Sequence, residues 1–161
     1  MTPLAPGERR WAATAHLSLL LTASLGWAAG GWGATLALLA PLALGLYFRA
    51  RAPRVAFHAL QAAVFQAGGA CLYVVAALLT VAGLGAFWLV SLVLSLTPAG
   101  VLPWPAAIGL SVAAAASLAG APLAGLGWAL HGAWRAYHGQ PFAYPLAGVW
   151  AARALGLEAP A

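Results

Sequence analysis

The chain of 161 residues contains no lysine and no aspartate, and only 6% of its residues are charged. Soluble domains are about a quarter charged, so this chain has too few charges to cover a water-facing surface. Disordered chains are poor in apolar residues, whereas 64% of this chain is hydrophobic. These scarcities exclude a soluble globule and a disordered protein, and they predict an integral membrane protein.

Cysteine and acidic residues are scarce as well. Cys71 is the single cysteine, which excludes an intramolecular disulfide and a cysteine-based metal cluster. Glu8 and Glu158 lie near the two ends, so the spans hold no acid that could orient a histidine in a hydrolytic triad. Phosphate-binding glycine loops, H-E-x-x-H and nucleophile elbows are missing. We therefore expect a non-enzyme with no catalytic residue, no metal and no cofactor.

What the sequence does contain is a series of apolar runs, and a membrane-spanning helix needs about 20 such residues. The runs predict an all-α protein, a four-helix transmembrane bundle forming one domain over 1–161. The expected spans are about 11–29, 34–48, 56–96 and 106–135, followed by a short interfacial tail at 145–157.

Proline and glycine predict the irregularities of these spans. Pro41 and Pro122 lie inside the second and fourth spans, where a missing N–H predicts a kink. The third run is about twice the needed length, so it is either one long helix or two spans broken near Gly83-Leu84-Gly85. Three prolines among the nine residues 97–105 predict a loop.

Arginine carries all of the formal positive charge. With four spans, every arginine lies on one side of the membrane and the opposite loops are uncharged, whereas five spans would move Arg135 and Arg153 across. The positive-inside rule assigns the arginine side to the cytoplasm, so both termini are expected there. The net charge of +5 suits anionic lipid headgroups rather than nucleic acid, and the residues expected to contact headgroups or set the topology are Arg49, Arg51, Arg54 and Arg135.

Small residues recur every four positions in the last span. They form one ridge along a helix face, consisting of Gly109, Ala113, Ser117, Ala121 and Gly125. Helices in lipid associate through such residues, so the ridge is expected to pack the four helices together. The alternative is that it faces a second protein, either another membrane subunit or another copy of the chain.

Polar side chains inside the spans are candidates for function because they are costly in lipid. His16, His58 and His131 are the histidines of the spans, and Gln61 lies on the same helix face as His58. We expect these histidines to form interhelical hydrogen bonds or to reach headgroups. His131 is also a candidate for a proton relay or a ligand, and a zinc or heme site built from histidines is a further alternative.

Three stretches resemble a bacterial family of four-span membrane proteins, a domain of unknown function similar to the Tic channel subunit of the chloroplast inner-envelope translocon. Residues 8–18 carry R-x-W-A-x-x-x-H-L-S, residues 55–62 carry H-A-x-Q-A, and residues 137–146 carry G-x-x-x-x-Y-P-L. The resemblance implies that the family-signature polar residues are His16, Ser18, His58 and Gln61.

The resemblance also implies a location and a function. The location is the bacterial inner membrane, and the function is that of a channel-like or protein-translocation-related component. Two alternatives stay open on the residues alone. One is a small accessory or scaffold subunit of a larger membrane complex, of respiratory or photosynthetic type, and the other is a histidine-based metal or heme binder.

Overall fold

The computed structural model describes residues 4–29, 32–97 and 103–157, and this part of the chain is mainly helical and contains no strand. The helices are α1 (Pro6–Ala28), α2 (Trp32–Ala37), α3 (Leu39–Phe48), α4 (Pro53–Leu94), α5 (Pro103–Tyr137) and α6 (Pro145–Leu155). The all-α class is confirmed. Two helices, α4 and α5, are long and apolar enough to cross a membrane by their length and composition. Four spans stay a prediction.

Several helices begin at a proline, namely α1, α4, α5 and α6. Proline is suited to the first turn because its φ is already helical and its missing N–H would have no partner there. The expected loop up to Pro105 is therefore wrong at its end, since α5 begins at Pro103. Residues 98–102 of that loop lie outside the described residues, as do Gly30 and Gly31.

The long third run forms one continuous helix. The helix α4 has 42 residues and passes through Gly83 and Gly85 without a break, which decides between the two alternatives for this run. The second run, at 34–48, is interrupted instead: it is divided at Leu38 between α2 and α3, where Pro41 cannot donate a hydrogen bond to the carbonyl of Ala37. Helix α5 continues through Pro122. Kinks in the second and fourth spans stay predictions.

The chain divides into two compact units by its contacts, and the prediction of one domain stays a prediction. The first unit is Met1–Gly69 with Gly125–Ala161, and the second is Ala70–Ala124. The sequence of the second unit contains no charged residue and no histidine. Its two helical arms are joined by a hydrogen bond from Trp88 Nε1 to Ser111 Oγ, 3.0 Å long.

Small residues form much of the interior of the first unit. Ala12 and Ala15 of α1, Ala56 of α4 and Ala136 of α5 are fully buried, and their small size lets helix backbones approach closely. Larger side chains fill the space beside α6, where Phe57 and Leu60 pack against Ala151 and Ala152. This packing surrounds a group of buried polar side chains.

Candidate functional site

The three motifs of the sequence meet at one buried place in the first unit. His16 comes from α1, His58 and Gln61 come from α4, and Tyr144 comes from the connection between α5 and α6. His16 and Gln61 are 0% exposed and His58 is 6% exposed. We call these four residues the histidine–glutamine–tyrosine network. The interhelical hydrogen bonding expected of His16 and His58 is confirmed.

Gln61 joins α4 to the connection that precedes α6. Its side-chain oxygen accepts a hydrogen bond from the backbone N–H of Tyr144 at 3.0 Å, and its Nε2 donates to the backbone carbonyl of Phe142 at 3.2 Å. A buried backbone group without a partner is costly. The amide of Gln61 therefore satisfies two buried backbone groups of a segment more than 80 residues away in the chain.

The orientation of the Gln61 amide determines where the protons of the network lie. The Nε2 of Gln61 is 3.2 Å from Nδ1 of His58. Because an amide nitrogen can only donate, Nδ1 of His58 must be the acceptor. The Nε2 of His16, 3.1 Å from the same atom, then donates to it. Consequently Nδ1 of His16 accepts from the hydroxyl of Tyr144, 3.1 Å away. The hydrogen bonds run in one direction, from Tyr144 through His16 to His58.

The phenol of Tyr144 is suited to be the first donor in this series of hydrogen bonds. Burial raises the pKa of Tyr144 well above its usual range, because the charged phenolate is poorly solvated there. The phenol ring lies flat on the ring of Phe65, with 4.0 Å between centroids and 5° between planes. Packing and burial thus hold the hydroxyl in its protonated, donating form.

Replacing Tyr144 by phenylalanine should lower the free energy of unfolding by about 1 kcal/mol, the usual contribution of one buried hydrogen bond. The folded wild-type protein holds the phenol proton more tightly than the unfolded chain, whose tyrosine pKa is about 10. Wild-type stability should therefore fall above about pH 10, by up to about 1.4 kcal/mol per pH unit from this group. Thermal unfolding in detergent between pH 8 and 12 measures both effects, and the variant should lose this part of the alkaline decline. An unchanged pH profile in Tyr144→Phe would contradict the assignment.

A second polar contact joins α1 and α4 near the network. Gln66 donates from Nε2 to Ser18 Oγ at 2.8 Å, and its side-chain oxygen accepts from the hydroxyl of Thr22 at 3.0 Å. Ser18 was expected from the sequence, whereas Gln66 and Tyr144 were missed as site residues. The signal for Gln66 is its spacing, since it follows His58 by eight residues and so lies on the same face of α4.

Two glycines allow the α5–α6 connection to reach the network. A Cβ on Gly132 of α5 would lie 2.6 Å from Cε1 of Phe142, and a Cβ on Gly148 of α6 would lie 2.7 Å from Cβ of Ala143. Both distances are shorter than carbon atoms can approach without displacement. The absence of a side chain at these two positions is therefore what lets Phe142 and Ala143 pack where they do.

The other expected site residues lie apart from the network. The ring of His131 packs against Phe142 and Trp134, with ring centroids 5.8 and 6.3 Å apart, and its side chain is exposed. Arg51 lies over the ring of Tyr47, 4.5 Å from its centroid. Arg49 lies in the loop between α3 and α4 and is exposed, and Arg54 lies in the first turn of α4 and is half-buried.

The small-residue ridge is mostly exposed. Gly109, Ala113, Ser117 and Ala121 are exposed and Gly125 is half-buried. A Cβ built on Gly109 or Gly125 would meet no atom within 4 Å, so nothing in the described part of the chain requires a glycine at either position. Ala113 and Ser117 line a groove with residues of α4 in the second unit. Helix packing by this ridge stays a prediction.

The network can connect segments, but it offers little to a bound metal. His16 uses both ring nitrogens in hydrogen bonds, so neither has a lone pair left for heme iron or zinc. Among residues 4–29, 32–97 and 103–157, no group of three or more histidine, cysteine or acidic side chains could hold a metal ion. Comparison of this chain with protein-family models, curated proteins and solved structures finds no match.

Proposed function

We propose that this chain is a non-enzymatic integral membrane protein that serves as an accessory or scaffold subunit of a larger membrane complex. The observation that carries the proposal is the closure of the histidine–glutamine–tyrosine network. A conducting pathway needs polar groups that face water, whereas the side chains of this network are bonded to one another and to the backbone. The geometry of the network favours a structural role, in which it holds α1, α4 and the connection between α5 and α6 together.

The membrane placement is part of the proposal. Helices α4 and α5 have the length and composition of spans, and every arginine lies outside the second unit. Leucines on α1 and α3 are also exposed, as residues facing lipid would be. We propose four crossings, at 11–29, 34–48 and within α4 and α5, with both termini on the cytoplasmic side of a bacterial inner membrane.

Cysteine labelling tests the number of crossings. In a Cys71→Ser background, the variants Arg51→Cys, Thr97→Cys and Ala29→Cys place a thiol at three exposed sites. With four crossings, a membrane-impermeant maleimide should label Ala29→Cys and Thr97→Cys from the periplasmic side, and Arg51→Cys only in inverted vesicles. Labelling of Ala29→Cys together with Arg51→Cys would instead mean two crossings, by α4 and α5 alone.

A matched pair of alanine variants tests the partner. Ala121 belongs to the ridge, and Ala119 lies about 200° around the same helix; both are exposed. We expect Ala121→Leu to abolish co-migration with a larger complex on native gels of mild-detergent extracts. The reason is that the larger side chain would sterically prevent the partner from packing against the ridge. Ala119→Leu should leave the complex intact. Wild-type protein that migrates as a lone chain would contradict the accessory role.

A channel-like or translocation-related role is the second candidate. It is favoured by the position of the three family-like motifs, since residues from all of them meet in one network. Purified protein in liposomes should then conduct ions or move peptides, and His16→Ala should change that activity. Liposomes that stay impermeable would leave the accessory role as the function.

A further inference from the structure

An open cavity of about 660 Å³ lies beside the network on the first unit. Trp128, His131 and Arg135 line it from α5, and the connection 141–144 forms a second wall. Pro145 and Val149 line it from α6. Small-ligand sites are typically about 300–1,000 Å³ in volume. The cavity is therefore large enough for a small molecule or for the headgroup of a lipid.

Arg135 is the charged group of this cavity. Its Nε is buried and has no hydrogen-bond partner among the described residues, although buried donors in proteins are nearly always paired. The cavity lining contains no acidic residue. The carboxylate within the described residues, that of Glu8, accepts a hydrogen bond from the backbone of Ala5 at 2.9 Å. Within the described residues, the guanidinium of Arg135 therefore has no anionic partner.

The surroundings of Arg135 also favour an anion. His131 and Trp128 precede it by four and seven residues, so the three side chains share one face of α5. His131 supplies a second nitrogen that can donate. Helix α6 begins at Pro145, which also lines the cavity, and the N-terminal end of a helix carries partial positive charge. Trp128 and Val149 provide apolar surface next to these groups.

We propose that this cavity binds a phosphate group, with the guanidinium of Arg135 as its main ligand and His131 as a second donor. A guanidinium matches the oxygens of a phosphate with two parallel hydrogen bonds. The phosphate can belong to an anionic phospholipid headgroup or to a soluble phosphate ester. The lipid source rests on the proposed membrane placement, because anionic lipids are enriched at the cytoplasmic leaflet.

Lipid binding to the purified full chain in detergent tests the proposal. Native mass spectrometry should show one phosphatidylglycerol bound in preference to phosphatidylcholine. Arg135→Gln should weaken this binding by about tenfold or more, as the loss of a charge-assisted hydrogen bond does. Arg153→Gln, at an exposed position of α6 outside the cavity, removes the same charge and should change the affinity less than about twofold.

The remaining measurements identify the source of the phosphate group and keep the test decisive if a variant does not fold. Displacement of the lipid by glycerol 3-phosphate supports a site for phosphate esters in general, and binding of the lipid alone supports a headgroup site. His131→Phe changes an exposed residue, so it should fold normally, and it should weaken binding about threefold because phenylalanine has no donor to replace the imidazole N–H. Equal weakening by Arg135→Gln and Arg153→Gln overturns the proposal. If Arg135→Gln does not fold, the absence of any effect of His131→Phe on binding overturns it. These measurements use isolated protein, so their failure is distinct from failure of the accessory role.

Discussion

Replacing Gln61 by leucine should lower the free energy of unfolding by about 3–5 kcal/mol, the largest effect that we expect from one polar substitution in this chain. Leucine removes the acceptor for the N–H of Tyr144 and the donor for the carbonyl of Phe142. Both backbone groups would then be buried without a partner, at about 1–3 kcal/mol each. The melting temperature in detergent should fall by about 6–20 °C for a chain of this size.

Hydrogen exchange identifies the site of the damage in Gln61→Leu. The backbone N–H of Tyr144 should exchange much faster than in the wild type, while amides in the middle of α5 should exchange at similar rates at a temperature where both proteins are folded. Gln140→Leu makes the same change at an exposed position and should alter the melting temperature by less than about 2 °C, as surface substitutions do. If the melting temperature of Gln61→Leu were the same as that of Gln140→Leu, the network would not be what holds the connection in place.

The local parts of this site could be predicted from the sequence, because they depend on helical spacing. His58 and Gln61 are three residues apart in an apolar run, which places them on one face of α4, and they are hydrogen-bonded there. The continuity of α4 could not be predicted in the same way. Gly83 and Gly85, two of the four glycines in this 42-residue helix, weaken it by about 1 kcal/mol each, and spacing alone does not show whether that is enough to break it.

The long-range parts of the site depend on tertiary packing that no local pattern encodes. His16 and Tyr144 are 128 positions apart in the chain, and Tyr144 lies in a proline-containing connection that spacing rules describe only as a turn. The resemblance motifs included Tyr144 without assigning it a role. The loop expected up to Pro105 is wrong at its end because a cluster of prolines predicts a helix break, whereas proline in the first turn is compatible with the start of α5 at Pro103.

Replacing Gly148 by alanine should destabilise the protein, although alanine is the better helix former by about 1 kcal/mol. The added Cβ would lie 2.7 Å from Cβ of Ala143 and 3.3 Å from the side-chain oxygen of Gln61. The Cβ of Ala143 is fixed to the backbone, so the connection itself must move, and overpacking of this kind costs about 1–3 kcal/mol. The movement also loosens the hydrogen bond between Gln61 and Tyr144, so we expect a net loss of about 2 kcal/mol.

Gly127→Ala is the matched control, because a Cβ on Gly127 of α5 would meet no atom within 4 Å. There the helix preference of alanine acts alone, and the variant should be more stable than the wild type by up to about 1 kcal/mol. The two variants therefore shift thermal unfolding in opposite directions, although each adds one methyl group to a helix. If Gly148→Ala were also stabilised, the connection would have room to adjust. Gly148 would then not be what holds the backbone of residues 142–144 against Gln61.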